Sequence, residues 1–519
     1  MKRFGFILLI ISIFCFFLTN NLFSQHTNIY QQDLIELLEI IKKTHPSDDS
    51  IKQKIINSSE QYLNRLEHCE NIDVFKVEAQ EFIAQLDDGH SKVYCYDSFS
   101  RKGYYPIHFS FINEKLYIAG YTMDIPTIDY IGEEVKSING IKISELIIKA
   151  ERLISSDTKS NMLFLLQYNL NKPSFLEYLD IDADTLLKLE LENSDTISFK
   201  RDWEHNKFYM QDSDVKYEID TLNIVYYKKA ENSLTGWSDK LFEYHLIKER
   251  NVCYFKFSEC FDLQFLKANP NFVEFGPLWL WKMSWYFRGG NFSKFLKKMF
   301  DDIEKNDINN LIIDVRYNRG GTSILNYQLL DYFIDMDTLL DYQTKIKISV
   351  MFKNNFPKHF DDLAKTYNLH TVDTIIDIKN FYKNTSYTSE IQQYLREKDS
   401  PYYQEEPTNK FKGNIYIMVG KRTFSSAAML AVLLADNKIA KVVGNKIGTR
   451  PTHYGELLNF KLSNTKTKGI ISCKLFIRPD STKGLCPLKI DFPVYNSVID
   501  EFDGKDKEFE YLLNMIEPN

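Results

Sequence analysis

Gly413-Asn-Ile-Tyr-Ile-Met-Val-Gly-Lys-Arg-Thr-Phe-Ser-Ser-Ala-Ala-Met-Leu-Ala-Val-Leu-Leu-Ala-Asp436 is the stretch whose reading decides the fold. Ile415 to Val419 reads as a buried strand, Thr423 to Ala427 as a sharp turn of small and hydroxyl residues, and the rest as an apolar helix running to Asp436. A serine then sits at a helix start, where backbone N–H groups are unpaired and carry a partial positive charge. A hydroxyl in that position can attack a carbonyl while neighbouring amides hold the oxyanion. Ser425 is the candidate nucleophile on this argument. Capping the helix is an equally natural task for Ser425 and Ser426, so the segment alone leaves both readings open.

Upstream, Leu311-Ile-Ile-Asp-Val-Arg-Tyr-Asn-Arg-Gly-Gly-Thr-Ser323 is a second strand opening into a glycine-rich turn, before a helix predicted over Ile324 to Phe333. Val252 to Phe257 and Ala440 to Gly444 read as further buried strands, and Phe292 to Ile303 as an amphipathic helix. Strand, turn, helix and strand again predict an α/β core with a mainly parallel sheet, whose site lies at the strand C-terminal ends. The glycines match no phosphate-binding pattern. Beyond Gly444 the chain alternates like a long hairpin as far as Val494. The polar stretch from about Asp341 to Lys412 reads as an insertion without chemistry.

The N-terminal part differs. Asn28 to Gln85 is patterned as helix, and a stretch from Val74 to Leu86 leads into Asp87-Asp-Gly-His-Ser91, placing His90 where a helix ends. A lone histidine has no functional claim by itself. Between Gly103 and about Asp214 short strands follow (Ile107 to Phe111, Leu116 to Ala119, Glu134 to Ile138), with a hairpin signal at Asn139-Gly140 and a short helix from Ile141 to Leu153. The predicted domains are a leader at 1–25, a helical region at 26–100 carrying His90, a β-rich module at 101–215, and a catalytic core at 216–519 with its insertion at about 341–412.

Composition sets the bounds. The chain has 519 residues, more than one core usually supports, with 44% hydrophobic and 26% charged residues and a formal net charge of −7. That balance supplies no basic patch, and no nucleic-acid partner is predicted. Met1-Lys-Arg, the apolar run Phe4 to Leu18 and the polar Thr19 to Gln25 read as a secretory signal peptide cleaved near Ser24 or Gln25; an uncleaved anchor is the alternative. Ser12-Ile-Phe-Cys15 is a poor lipoprotein signal. The expected location is the periplasm or cell envelope. Six cysteines remain after the leader (Cys69, Cys95, Cys253, Cys260, Cys473, Cys486), which permits disulfides without specifying any. No cysteine or histidine spacing suits a metal, so neither metal nor cofactor is predicted. The aromatic excursion from Phe272 to Phe287, with Trp279, Trp281 and Trp285, is read as loop packing, with a groove or membrane surface as the alternatives.

Taken together, Asp88-Gly-His-Ser91, the Asp314-x-Arg-x-Asn-x-Gly-Gly321 turn, and Thr423-Phe-Ser-Ser-Ala427 with Asp436 eleven residues after Ser425 resemble the tail-specific, or C-terminal processing, peptidase family and its tricorn-like branch. Gly444-Asn-Lys-Ile-Gly-Thr-Arg-Pro-Thr-His-Tyr-Gly-Glu456 and Lys474-Leu-Phe-Ile-Arg-Pro-Asp480 are similar to exported members from Bacteroidetes-like bacteria. Ile131 to Leu146 resembles the carboxylate-binding core of PDZ domains, which implies substrate binding near Gly132 and Ile138.

The resemblance implies a ClpP/crotonase-like core, protein or peptide substrates and a Ser425 acyl-enzyme. The processing branch uses a lysine base at the position of Arg450, and an arginine stays protonated, so the Ser-Lys dyad is excluded. The tricorn-like branch implies His90 as general base, oriented by Asp480 with Glu456 as runner-up, and an oxyanion hole from the amides of Ser426 and of Gly320 or Gly321. Arg316 and Asn318 are expected to brace the turn. Ala427-Ala428-Met429 lacks an acidic residue common after the nucleophile, and Gly89 stands where some tricorn-like enzymes carry a relaying serine. These departures and Arg450 motivate the alternative of an inactive relative that binds peptides or envelope partners. An acyl-CoA enzyme on the same core fits export poorly.

Overall fold

The computed structural model describes residues 27–95, 98–99, 102–121, 130–183, 185–201, 240–262, 291–369, 372–377, 395–396, 398, 400 and 403–516. The expected leader and the Phe272 to Phe287 excursion lie outside them.

The architecture is mixed α/β, with three sheets. The central sheet runs in the order Lys441–Gly444, Asn414–Val419, Asn310–Asp314, Val252–Phe257, Phe242–Ile247. Its first four strands are parallel, with Ile313 level with Ile417 on one side and Phe255 on the other. Every residue of Asn310–Asp314 and Val252–Phe257 is buried. That is why these strands are largely apolar rather than alternating, with Lys256, Asn310 and Asp314 as their buried polar residues. The Ser426–Asp436 helix packs against this sheet with Leu430, Leu433 and Leu434 fully buried. Burying each such leucine contributes roughly 1.5–3 kcal/mol.

A second, antiparallel sheet forms around the long Lys468–Ile477 strand, which pairs with His453–Lys461, with Gln343–Ile348 and with the short Lys92–Val93. The helices Ile29–Thr44, Asp49–Arg65 and Ile72–Ala84 cover it through Leu37, Ile41, Phe75 and Phe82. Asn28 opens the first helix with a capping box to Gln31. Part of the expected insertion therefore belongs to this layer: Gln343–Ile348 and Thr374–Asp377 are paired strands with the buried Ile346, Ile348 and Ile376.

The third sheet, Ile107–Ile112, Lys115–Tyr121, Glu134–Ile138, Leu186–Leu191 and Thr196–Lys200, has its own core with the helices Ile143–Glu151 and Lys159–Gln167. It meets the core where the buried Lys421 ammonium donates to Ser110 Oγ at 3.0 Å, the Phe111 carbonyl at 3.2 Å and Gln167 Oε1 at 3.2 Å. Burial lowers the pKa of this lysine. The short Val498–Phe502 helix also joins it, with Val498 inside the module core.

Candidate active site

Ser425 sits at the turn between Asn414–Val419 and Ser426–Asp436 with φ 52° and ψ −126°. An L-residue rarely adopts this backbone, and holding it costs on the order of 1–3 kcal/mol. It therefore does not cap the helix with its side chain, which makes no cap hydrogen bond. The turn is held from all sides. Ser425 N–H donates to Thr449 Oγ1 at 2.8 Å, Gly448 N–H to the Thr423 carbonyl at 2.9 Å, Phe424 N–H to the Asn318 carbonyl at 3.1 Å, and Thr423 Oγ1–H to the Val315 carbonyl at 2.8 Å. Ser426 Oγ–H donates to the Gly321 carbonyl at 2.7 Å.

Gly320 lies directly against the serine. A Cβ on it would come within 2.8 Å of Ser425 Cβ and 3.0 Å of Ser426 N, and its φ is +101°. Asn318 is fully buried; its Nδ2 donates to the Phe257 carbonyl at 2.9 Å and its Oδ1 accepts Gly320 N–H at 2.8 Å. Gly320's amide is thus already engaged. Arg316 braces the base of the turn, donating to Asp314, Asp506 and Glu508.

His90 comes from the other layer, on the link between the N-terminal helices and Lys92–Val93. Its ring lies 4.5 Å, centroid to centroid, from Phe424, the residue before Ser425, and 5.8 Å from the stacked ring of His453. Both ring nitrogens are buried without a hydrogen-bond partner, so the bond expected between His90 and Ser425 is not made in this state. Asp88 anchors the loop: Oδ1 accepts His90 N–H at 2.9 Å and lies 3.6 Å from His90 Nδ1, while Oδ2 accepts from Ser91 and from Ser472 at 2.7 Å and faces His45 Nε2 at 3.3 Å. Burial alone would raise the Asp88 carboxyl, but the nearby imidazoles of His45 and His90 outweigh it and hold it well below the usual range.

The structure puts the expected orienting carboxylates elsewhere. Asp480 accepts from Thr482, pairs with Lys483 at 3.2 Å, and gives its own N–H to Asp436 at 3.2 Å. Asp436 in turn holds the fully buried Arg478 through two oxygens. Glu456 pairs with Lys474 at 3.0 Å, and that charge lowers its pKa. The carboxylates beside His90 are Asp88 and Asp157. Asp157 had no signal in the sequence, since nothing local marks a residue 67 positions away as a neighbour. Its Oδ2 accepts Arg450 N–H at 3.0 Å, and burial pushes it up to about 6 against the pull of His90 and Arg450. Arg450 itself donates from its guanidinium to the Asp87 carbonyl at 2.7 Å and so ties down the His90 loop.

The positions expected to bind substrate, Gly132 and Ile138, are packed against other parts of the chain. Ile138 is fully buried, and its strand is paired on both sides, by Lys115–Tyr121 and Leu186–Leu191, leaving no edge for a peptide strand. Gly132 is covered by Ile499, whose Cδ1 would stand 2.3 Å from a Cβ there. All six cysteines among the described residues are free. Among those residues no group of three or more His, Cys, Asp or Glu could hold a metal, and no helix is long and apolar enough to cross a membrane.

Residues 276–457 match the model of peptidase family S41. Over those residues the chain is similar to that family. The match takes in Gly320, Gly321, Ser425, Ser426, Arg450 and Glu456, and leaves His90 and Asp480 outside. Mature CPAF complexed with lactacystin is a similar solved structure, with a TM-score of 0.59, 15% identity, and coverage of 95% of this chain and 98% of that one. A second structure of mature CPAF gives 0.59 at 14% identity, covering 95% and 96%. A serine-to-alanine variant of CPAF gives 0.56 at 14%, covering 95% and 98%. At these identities the likeness is one of fold. No curated protein matches the chain. The family matched over residues 276–457 is one of peptidases, hydrolases that act on proteins or peptides.

Proposed function

We propose that the chain is an exported serine endopeptidase that cleaves peptide bonds through a Ser425 acyl-enzyme. The observation that carries this is the backbone of Ser425: a non-glycine residue at φ 52°, ahead of a buried helix, with an imidazole one residue away. Strand–turn–helix elbows that present a nucleophilic serine store strain in this way, whereas a capping serine needs none.

In the mechanism, His90 takes the Ser425 proton as the hydroxyl attacks the substrate carbonyl, then returns it to the leaving amine. Closing the gap needs a turn of the His90 ring toward Ser425, as substrate-free sites often require. Because Gly320's amide is engaged by Asn318, the oxyanion donors we assign are the amides of Gly321 and Ser426. Arg450 is no base; its side chain serves the His90 loop. A histidine base in place of a lysine is the feature of the tricorn-like branch. Export rests on the N-terminal Met1 to Gln25 stretch.

The test is cleavage of an unfolded protein by the chain after the leader, beside Ser425→Ala and His90→Ala, read by intact mass. Cleavage by the parent, reduced at least ~1000-fold in both variants, is the expected result. Cleavage that survives in Ser425→Ala overturns the assignment. A parent that neither cleaves nor is labelled at Ser425 by a reactive serine probe favours a peptide-binding relative.

A further inference from the structure

Asp88, the acid nearest His90 in sequence, is mostly engaged, and its Oδ1 lies 3.6 Å from His90 Nδ1, beyond hydrogen-bonding distance. One oxygen accepts His90's backbone N–H, and the other serves Ser91, Ser472 and His45. Its task is to build the loop. Asp157 is in the opposite condition. Its Oδ2 holds Arg450 N–H, while Oδ1 is buried with no partner. That free oxygen points at the backbone next to the imidazole: a Cβ on Gly89 would lie 3.1 Å from it. Neither ring nitrogen of His90 makes a hydrogen bond, both are buried, and the imidazole pulls electrostatically on Asp157. Buried donors and acceptors without hydrogen bonds are costly, each on the order of 1–3 kcal/mol.

The loop bearing Asp157 is fixed to the loop that holds Ser425. Thr158 Oγ1–H donates to the Gly448 carbonyl at 2.9 Å, next to Thr449, whose Oγ1 accepts Ser425 N–H. On its other side, Gln80 Nε2 donates to the Leu153 carbonyl at 2.9 Å and to Ser155 Oγ at 3.0 Å. Asp157 belongs to the β-rich module, between its helices Ile143–Glu151 and Lys159–Gln167. A side chain at Gly89 would need the space its oxygen uses.

We propose that Asp157 is the positioning carboxylate of His90: Oδ1 accepts the imidazole N–H turned toward it, the other ring nitrogen faces Ser425, and the module thereby supplies a part of the site. This rests on the Ser425–His90 reading. The negative charge would also stabilise the imidazolium formed as Ser425 attacks.

Asp157→Asn tests it, because the amide oxygen can still accept Arg450 N–H while the charge is removed. The expected result is a fall in kcat of ~100-fold or more with KM within about threefold, and loss from the acid limb of kcat/KM of a group titrating near 6. Asp480→Asn should keep parental kinetics. A readout independent of catalysis is the thermal midpoint of Asp157→Asn, His90→Gln and the double variant, where contact predicts non-additive shifts. Additive midpoints overturn the pairing whatever the kinetics, as does parental kcat in Asp157→Asn with a ~100-fold loss in Asp480→Asn. If the parent cleaves nothing, the peptidase reading fails, and the midpoints still decide for or against the pairing.

Discussion

At the scale of single residues, His453 illustrates how the site is tuned. Its ring is fully enclosed beside His90, and burial, then the neighbouring imidazole, push it down to about 3 from an ordinary value near 6.5. The unfolded chain binds a proton between pH 6.5 and 3 that the folded chain refuses. The stability this histidine contributes is therefore complete above about pH 6.5 and is lost as pH falls toward 3, at about 1.4 kcal/mol per pH unit. Urea unfolding of His453→Phe at pH 6, 5 and 4 should show a dependence shallower by about one proton than the parent's. An unchanged slope would mean that His453 is not held neutral. Nothing in Thr452-His-Tyr454 announces this role, because burial beside His90 arises only when two strands far apart in the chain meet.

At the scale of elements, the strand–turn–helix at 413–436 forms as its sequence predicts: Asn414–Val419 is a strand and Ser426–Asp436 a helix. The apolar run and the small residues at the turn are local signals, and local signals are what a sequence displays directly. The partner turn was legible in its glycines, though not in how closely they approach. Gly320→Ala should bring Cβ to 2.8 Å from Ser425 Cβ and 2.9 Å from the Phe424 carbonyl, at φ +101°. We expect it to destabilise the fold by about 2–4 kcal/mol and to lower kcat far more than it raises KM. A Gly320→Ala protein with parental stability and turnover would show that the turn relaxes freely. The strand Gln343–Ile348, within the stretch from Asp341 to Lys412, is not legible in the sequence for a physical reason. Only Ile346 and Ile348 of its six residues are apolar, and its partner, Lys468–Ile477, lies more than a hundred positions further on.

At the scale of the molecule, the helix Lys507–Met515 and the cap before it hold the turn that carries Arg316. Arg316 is buried among Asp314, Asp506 and Glu508, donating to Asp506 Oδ2 at 2.7 Å and to Glu508 Oε2 at 2.5 Å. Burial pushes Glu508 up to about 7 despite Arg316. Arg316→Met would strand three carboxylates in the interior, and we expect it to cost about 3–5 kcal/mol at pH 8. The loss should be smaller at pH 5, where protonation relieves the repulsion. Equal losses at both pH values would argue against this account. Residues 190 positions apart in sequence therefore set the base of the turn.

The sequence by itself determined the α/β character, the four parallel strands of the central sheet, the serine at the helix start and the histidine after Asp88-Gly89. All of these follow from residue chemistry and short periods along the chain. Only the tertiary structure decided that Ser425 holds a strained backbone, that Gly320's amide is engaged, that Asp480 serves Lys483 and Asp436, and that Asp157 lies against Gly89. Each of these depends on which distant segments share a buried volume, where a carboxylate's partners are chosen by proximity in space.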